Sequence, residues 1–449
     1  MNADGLCSAP LSTILDHLRR RAVSPLELVD AYLERIQRAR PLSAFITVTA
    51  ESAKRKAREA ERRLRDGQDA PLLGAPLAIK DLFQTRGVRT TAGSRILRDW
   101  VPDRDAATVA RLHEAGAISL GKLNLHEFAY GVTNDNPHWG TARHPADAQR
   151  IPGGSSGGSA IAVVAGLCAA SIGTDTGGSI RIPAALCGCV GLKPTYQAVP
   201  TEGIVPLAHS LDHAGPITRT VEDAAIMLSA MTGRRYAPSP VKGMRLGVLA
   251  GFGFNRVDAG VVRMVQGAVG RLREGGLRVR PVNIPELTLS VATQLVTIRA
   301  EASANHLHWI RRRPRSYGRD VRIRLQLGAM VTAREYLLAQ RARAMLREAV
   351  LQAFEKIDLL ALPTVPIVAP RIGERTVAWR GGREPVDGAL VRLTSPFNLT
   401  GLPALSVPCG SSRGLPVGLQ LVAPWGEEPR LLGAGRLLEE TSAAEQLTQ

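Results

Sequence analysis

Two glycine-serine loops, "IPGGSSGGSA" (151–160) and "DTGGSIRIP" (175–183), limit what this chain can become, because each is set in apolar rather than polar sequence. A flexible linker has polar flanks, and these loops do not. Glycine pairs allow positive φ and let another group approach bare backbone N–H, so such a turn either cradles a phosphate or exposes a nucleophile. Neither loop reads G-x-x-x-x-G-K-[ST]. Neither reads G-x-G-x-x-G after a strand with an acid about 20 residues on, so the common nucleotide-binding readings fall away.

The sequence around the loops alternates helix and strand. "SPLELVDAYLERIQR" (24–38) predicts a helix with Ser24 as N-cap and Pro25 in its first turn. "GAPLAIKDLF" (74–83) predicts a buried strand with Lys80 at its end, and 106–125 predicts a helix closing at Gly116 followed by a strand. The longest apolar run, "AIAVVAGLCAASIG" (160–173), is too short to span a membrane and reads as a buried helix entering a strand. Residues 240–285 read as a βαβ unit, and 334–354 as a long helix. The alternation implies an α/β layered fold.

A net charge of +17 raises the question of nucleic acid, since clustered Lys and Arg neutralise phosphates. Here the arginines are spread along helical stretches such as "RKAREAERRLR" (55–65), aromatics are 4% of the chain, and no nucleic-acid motif accompanies them. The expectation is therefore a solvated basic surface without a nucleic-acid or membrane partner. The five cysteines, Cys7, Cys168, Cys187, Cys189 and Cys409, have no disulfide or zinc spacing, so no metal is expected. The N-terminal residues lack a basic stretch followed by an apolar one, and with reduced cysteines this suggests a cytoplasmic protein.

The segment "GGSSGGSAIAVVAGLCAASIGTDTGGSIRIPAALCGCVGLKPT" (153–195) resembles the signature of the amidase signature family, serine hydrolases with a Ser–Ser–Lys triad. Similarity continues in "GAPLAIKD", "GKLNLHEFAYG", "PLAHSLDHAGPITRTVEDAA", "TSPFNLTGLPALSVP" and "GLPVGLQLV", in family order. The resemblance implies one domain over 1–449, built on a large central mixed, mostly parallel β-sheet covered by helices on both faces. Residues 1–70 form a helical region and 75–235 the core. Residues 240–360 form an inserted α/β and helical cover over the site, and 361–449 return to the sheet.

Position by position, the resemblance makes Ser179 the nucleophile, Ser155 the bridging serine after a cis Gly154–Ser155 bond, and Lys80 the base. The chemistry is coherent, because a lysine held neutral by burial can take a proton relayed through a hydroxyl that both donates and accepts. The backbone N–H groups of Thr176, Gly177, Gly178 and Ser179 are expected to form the oxyanion hole, with Ser156, Asp175 and Arg181 bracing the loop. Phe128, Tyr130, Gly131 and Ile204 are expected to line the substrate pocket, and His126 to be structural. "KPTYQ" stands where the family has "KPTYG", which leaves the local turn at Gln197 open. No cofactor is expected.

The family includes stand-alone hydrolases and the glutaminase subunit of the tRNA-dependent amidotransferase. That subunit carries "MYxxD" before its "NLAGLP", where this chain has "GALVRLTSPFNLTGLP", and its acidic "FDE" segment meets Glu427 inexactly. The sequence therefore favours a stand-alone monomeric or homodimeric hydrolase of small, largely apolar anilides, arylamides or carbamates. The glutaminase is the alternative, with urea-derivative and dicarboxylic-amide enzymes behind it.

Overall fold

The structure, a computed structural model, describes residues 2–448. Its strands are β1 (Phe45–Val48), β2 (Pro76–Lys80), β3 (Ile118–Leu123), β4 (Ala170–Asp175), β5 (Val190–Lys193), β6 (His213–Thr218), β7 (Arg245–Leu249), β8 (Arg278–Val282), β9 (Leu359–Pro363), β10 (Thr376–Trp379), β11 (Gly382–Pro385), β12 (Ala404–Ser412) and β13 (Leu415–Val422). Eleven of them form one mixed sheet in the order β1-β3-β2-β4-β6-β5-β12-β13-β9-β7-β8, while β10 and β11 make a separate hairpin. Parallel pairing occupies β3-β2-β4 and β9-β7-β8, and the strands between them pair antiparallel. Every residue of β2, β4, β5, β6 and β9 is buried, which requires cover on both faces of the sheet.

Local sequence explains where the elements fall. The Pro25–Arg38 helix starts on a complete capping box, Ser24 with Glu27, and Pro25 sits in its first turn, where a missing N–H costs nothing. Strand β2 ends on Lys80, as the apolar run predicts. The Gly157–Val164 helix leads into β4, so the long apolar run is the helix and strand expected. Residues 240–360 add β7 and β8 to an end of the same sheet, and then supply the helices Ser290–Arg312, Arg319–Gly328 and Ala333–Phe354. Gln197 keeps the turn in which the family has glycine by adopting φ +64° itself. All five cysteines are free and buried. No helix among the described residues is long and apolar enough to cross a membrane.

The glycines of the first loop are set by packing as much as by conformation. A Cβ at Gly158 would lie 2.4 Å from the carbonyl oxygen of Asn124 and 2.6 Å from that of Ala44. Backbone cannot yield there as a side-chain tip can. Gly158→Ala is expected to cost about 1–3 kcal/mol, read as a lowered urea midpoint with an unchanged m-value.

Candidate active site

Three serine and threonine hydroxyls converge on the buried end of β2. Lys80 Nζ lies 2.8 Å from Ser155 Oγ, 2.8 Å from Ser156 Oγ and 2.7 Å from Thr174 Oγ1, and the lysine has no exposed surface. Desolvation dominates its protonation: burial pushes Lys80 down to about 7, against the opposing pull of Asp175 and Asp212. Ser155 follows a cis Gly154–Ser155 peptide bond. Ser156 Oγ donates to the Thr174 carbonyl at 3.2 Å as well as accepting from Lys80. Thr174 is a third partner for Lys80 that the sequence does not reveal; its place inside "SIGTD" carries no distinguishing signal.

The second loop is built around a buried ion pair. Asp175 accepts from the backbone N–H of Gly178 at 2.8 Å and of Ile180 at 3.2 Å, and from Arg181 Nε at 3.0 Å and Nη2 at 2.9 Å. Arg181 also donates to the Thr394 carbonyl, Gln420 Oε1 and Asn398 Oδ1. Burial would raise the Asp175 carboxyl, but Arg181 overrides it and holds the group well below the usual carboxylate range. One expectation is corrected here. Because the Gly178 amide already donates to Asp175, the backbone donors left for an oxyanion are those of Thr176, Gly177 and Ser179.

Ser179 faces a cavity of about 400 Å³ whose walls include Tyr130, Gly131, Thr176, Gly177, Gln294, Ile298, Arg299, Arg324, Asp387 and Val391. Tyr130 and Gly131 both lie in this wall, and a Cβ on Gly131 would come within 2.3 Å of the His126 ring. His126 is itself held by Asp320 at 2.8 Å. Phe128 and Ile204 are not in this wall. Phe128 is buried at φ +51° in an aromatic cluster with His306, Trp309 and Tyr317. Ile204 lines a smaller cavity of about 70 Å³ that shares Ala129, Thr176 and Leu207 with the main pocket. The reason is the same for both: an apolar run reveals burial but not which of two adjacent spaces a side chain faces.

The pocket also carries charge that the sequence does not announce. Arg324 and Asp387 form an ion pair in its wall, with the Arg324 guanidinium 5.7 Å from the Tyr130 ring centroid. Glu427, the acid weighed from the sequence, instead pairs with Arg430 at 2.9 Å. The Val386–Arg392 helix points Asp387 and Val391, one turn apart, into the cavity, so a carboxylate enters from a position that the "MYxxD" pattern passes over.

Fold and site together define an amidase-type enzyme. The chain belongs to the amidase family, whose description, Amidase, matches residues 27–432. It is 38% identical to the glutamyl-tRNA(Gln) amidotransferase subunit of Geotalea daltonii, over 95% of this chain and 96% of that protein. Among solved structures, a crystallised amidase shares 37% identity at a TM-score of 0.93, covering 96% of this chain and 99% of its own. The corresponding glutamyl-tRNA(Gln) amidotransferase subunit of Thermotoga maritima shares 33% identity at a TM-score of 0.81, covering 97% and 95%. These relatives overturn two expectations: a stand-alone hydrolase of apolar amides or carbamates, and a small molecule as sole partner with nucleic acid excluded. The charged pair in the pocket gives the physical reason for the first correction, since the apolar reading assumed no well-placed carboxylate.

Removing Asp175 leaves the Arg181 guanidinium buried with several bonds intact but its charge uncompensated. Asp175→Ala is expected to destabilise the chain by about 3–5 kcal/mol in chemical denaturation.

Proposed function

We propose that this chain is the glutamine-hydrolysing component of a tRNA-dependent amidotransferase, a soluble cytoplasmic protein that frees ammonia from the side-chain carboxamide of glutamine. The observation that carries this reading is the Arg324–Asp387 pair in the pocket of Ser179. Glutamine ends in an α-carboxylate and an α-ammonium, which need a guanidinium and a carboxylate. An anilide or a neutral carbamate has no group for either. The similarity to the glutamyl-tRNA(Gln) amidotransferase subunits supports the same substrate and supplies the context in which the ammonia is used.

The chemistry uses the residues already gathered. Neutral Lys80 takes the proton of Ser155 while Ser155 takes that of Ser179, and the Ser179 oxygen attacks the carboxamide carbon. The oxyanion meets the N–H groups of Thr176, Gly177 and Ser179; one such donor is worth about 3–4 kcal/mol of barrier. The proton returns through Ser155 to the amino group, which leaves as ammonia, and a γ-glutamyl ester remains on Ser179. Water then attacks the ester by the same relay, releasing glutamate and restoring the serine hydroxyl.

Because the base must be neutral, activity is lost as pH falls through the Lys80 value. The kcat/KM for glutamine is expected to rise across about pH 7 and level above it, tracing the lysine that burial holds there. Lys80→Arg is expected to be inactive, since a guanidinium does not give up its proton.

The substrate reading is tested by Arg324→Ala, which removes a charge-assisted bond worth about 1.5–3 kcal/mol. KM for glutamine is expected to rise about 10- to 100-fold, with kcat/KM for propionamide within about twofold of the parent enzyme. A higher kcat/KM for a nitroanilide than for glutamine, with the partner subunits present, would overturn the reading.

A further inference from the structure

Beside the Thr176–Ser179 turn lies a carboxylate with no part in the relay just described. Asp212 is half-buried, and it accepts from Thr176 Oγ1 at 2.6 Å and from the backbone N–H of Leu207 at 2.9 Å and Ala208 at 3.1 Å. It lines the 70 Å³ cavity together with Thr174 and Thr176. Thr174 is the same residue that accepts from Lys80.

The turn is gripped at three points from three distant segments. Gln294 Nε2 donates to the Thr176 carbonyl at 3.0 Å and Thr394 Oγ1 donates to the Gly177 carbonyl at 2.6 Å. Both grips are on carbonyls; Asp212 holds the Thr176 side chain. Asp212 ties its own 207–212 loop through the Leu207 and Ala208 amides, and other groups anchor the same loop as well. Glu301 accepts from Ser210 N at 3.0 Å and Oγ at 2.6 Å, Asn305 Nδ2 donates to the Leu207 carbonyl, and Arg343 Nη2 donates to that of Ser210.

Two of the three bonds of Asp212 cap the Leu207 and Ala208 amides and the third holds the Thr176 hydroxyl, so one carboxylate ties this loop to the turn. The charged and titratable groups facing this region are Lys80 on β2, Asp175 on β4, Glu301 on the Ser290–Arg312 helix, Tyr196 after β5, and His209 and His213 on either side of Asp212, whose own carboxyl is pushed up by desolvation to about 6. Glu301 and Asp175 share its sign. Burial places the His213 imidazole well below its usual range, and the Tyr196 phenol is raised, so both are neutral near pH 7. Lys80 is the cation on which Asp212 acts.

We propose that Asp212 is a positioning residue for the reaction at Ser179: its carboxylate fixes the donor turn through the Thr176 hydroxyl, and its charge acts on Lys80 across the small cavity that Asp212 and Thr174 both line. The proposal rests on the reading of Lys80 as base and Ser179 as nucleophile. It makes Asp212 responsible both for where the oxyanion donors point and for the pH at which the base becomes available.

The test compares Asp212→Asn, Asp212→Glu and Thr176→Val with the parent chain, measuring kcat and KM for glutamine from pH 5.5 to 9. Asp212→Asn removes a negative charge that favours the lysine ammonium. The acid limb of kcat/KM is expected to move to lower pH by on the order of one unit. Its plateau kcat is expected to fall about tenfold, with KM little changed. Thr176→Val is expected to lower the plateau without moving the limb, and Asp212→Glu, which keeps the charge but displaces the oxygens, to do the same. An Asp212→Asn limb that stays in place or moves up overturns the electrostatic half. A Thr176→Val or Asp212→Glu plateau equal to that of the parent overturns the positioning half, and these two variants decide it even if Asp212→Asn does not fold. Labelling with a fluorophosphonate separates this from the underlying reading. An adduct on Ser179 with no Asp212 effect sinks the present proposal alone, whereas no Ser179 adduct in the parent chain sinks the reading beneath it.

Discussion

The Asp175–Arg181 ion pair is the interaction on which the rest of the site depends. Two buried opposite charges are costly to desolvate, and they are tolerated only where each remaining lone pair and N–H is used. Here Asp175 takes the amides of Gly178 and Ile180, while Arg181 spends its remaining donors on Thr394, Asn398 and Gln420. The pair therefore shapes the turn on one side and clamps it to segments more than 200 residues further along the chain on the other. It also withdraws the Gly178 amide from substrate, so the same contact that builds the donor turn decides which of its donors remain free.

Around that clamp, burial is used in opposite directions. It lowers Lys80 toward neutrality, which suits a base, while the guanidinium of Arg181 holds Asp175 ionised in the same interior. The difference lies in neighbours, since Lys80 is met by three neutral hydroxyls and Asp175 by a full positive charge. One core thus keeps one titratable group close to uncharged and the other firmly charged at the same pH.

What the sequence made legible follows from how local each signal is. Ser24 with Pro25, the apolar run ending at Lys80, and the two glycine-serine loops carry their meaning within about ten residues, and each is found where expected. The amidase family was legible because its motifs run through most of the chain. The pocket was not. Gln294, Arg324 and Asp387 come from three helices of ordinary composition, and only tertiary packing brings them beside Ser179. Phe128 and Ile204 were misplaced because burial is readable from an apolar run whereas the direction a side chain faces across a wall is not. Asp212 stood in plain view in "SLDHAGP", but nothing in those letters tells that its carboxylate reaches back to Thr176.

The order of strands has a further consequence for how the molecule comes into being. Strands β1 to β6 form one run of the sheet, and β9, β7 and β8 form another. The two are joined only through the β12–β13 hairpin between β5 and β9. A chain emerging from the ribosome in sequence order has both runs available long before residue 422, yet they have no shared strand edge until that hairpin arrives. Because Arg181 finds Gln420 on the same hairpin, the sheet and the Thr176–Ser179 turn are completed by one late event. The nascent protein thus carries Lys80, Ser155 and Ser179 through most of its synthesis without the frame that aligns them.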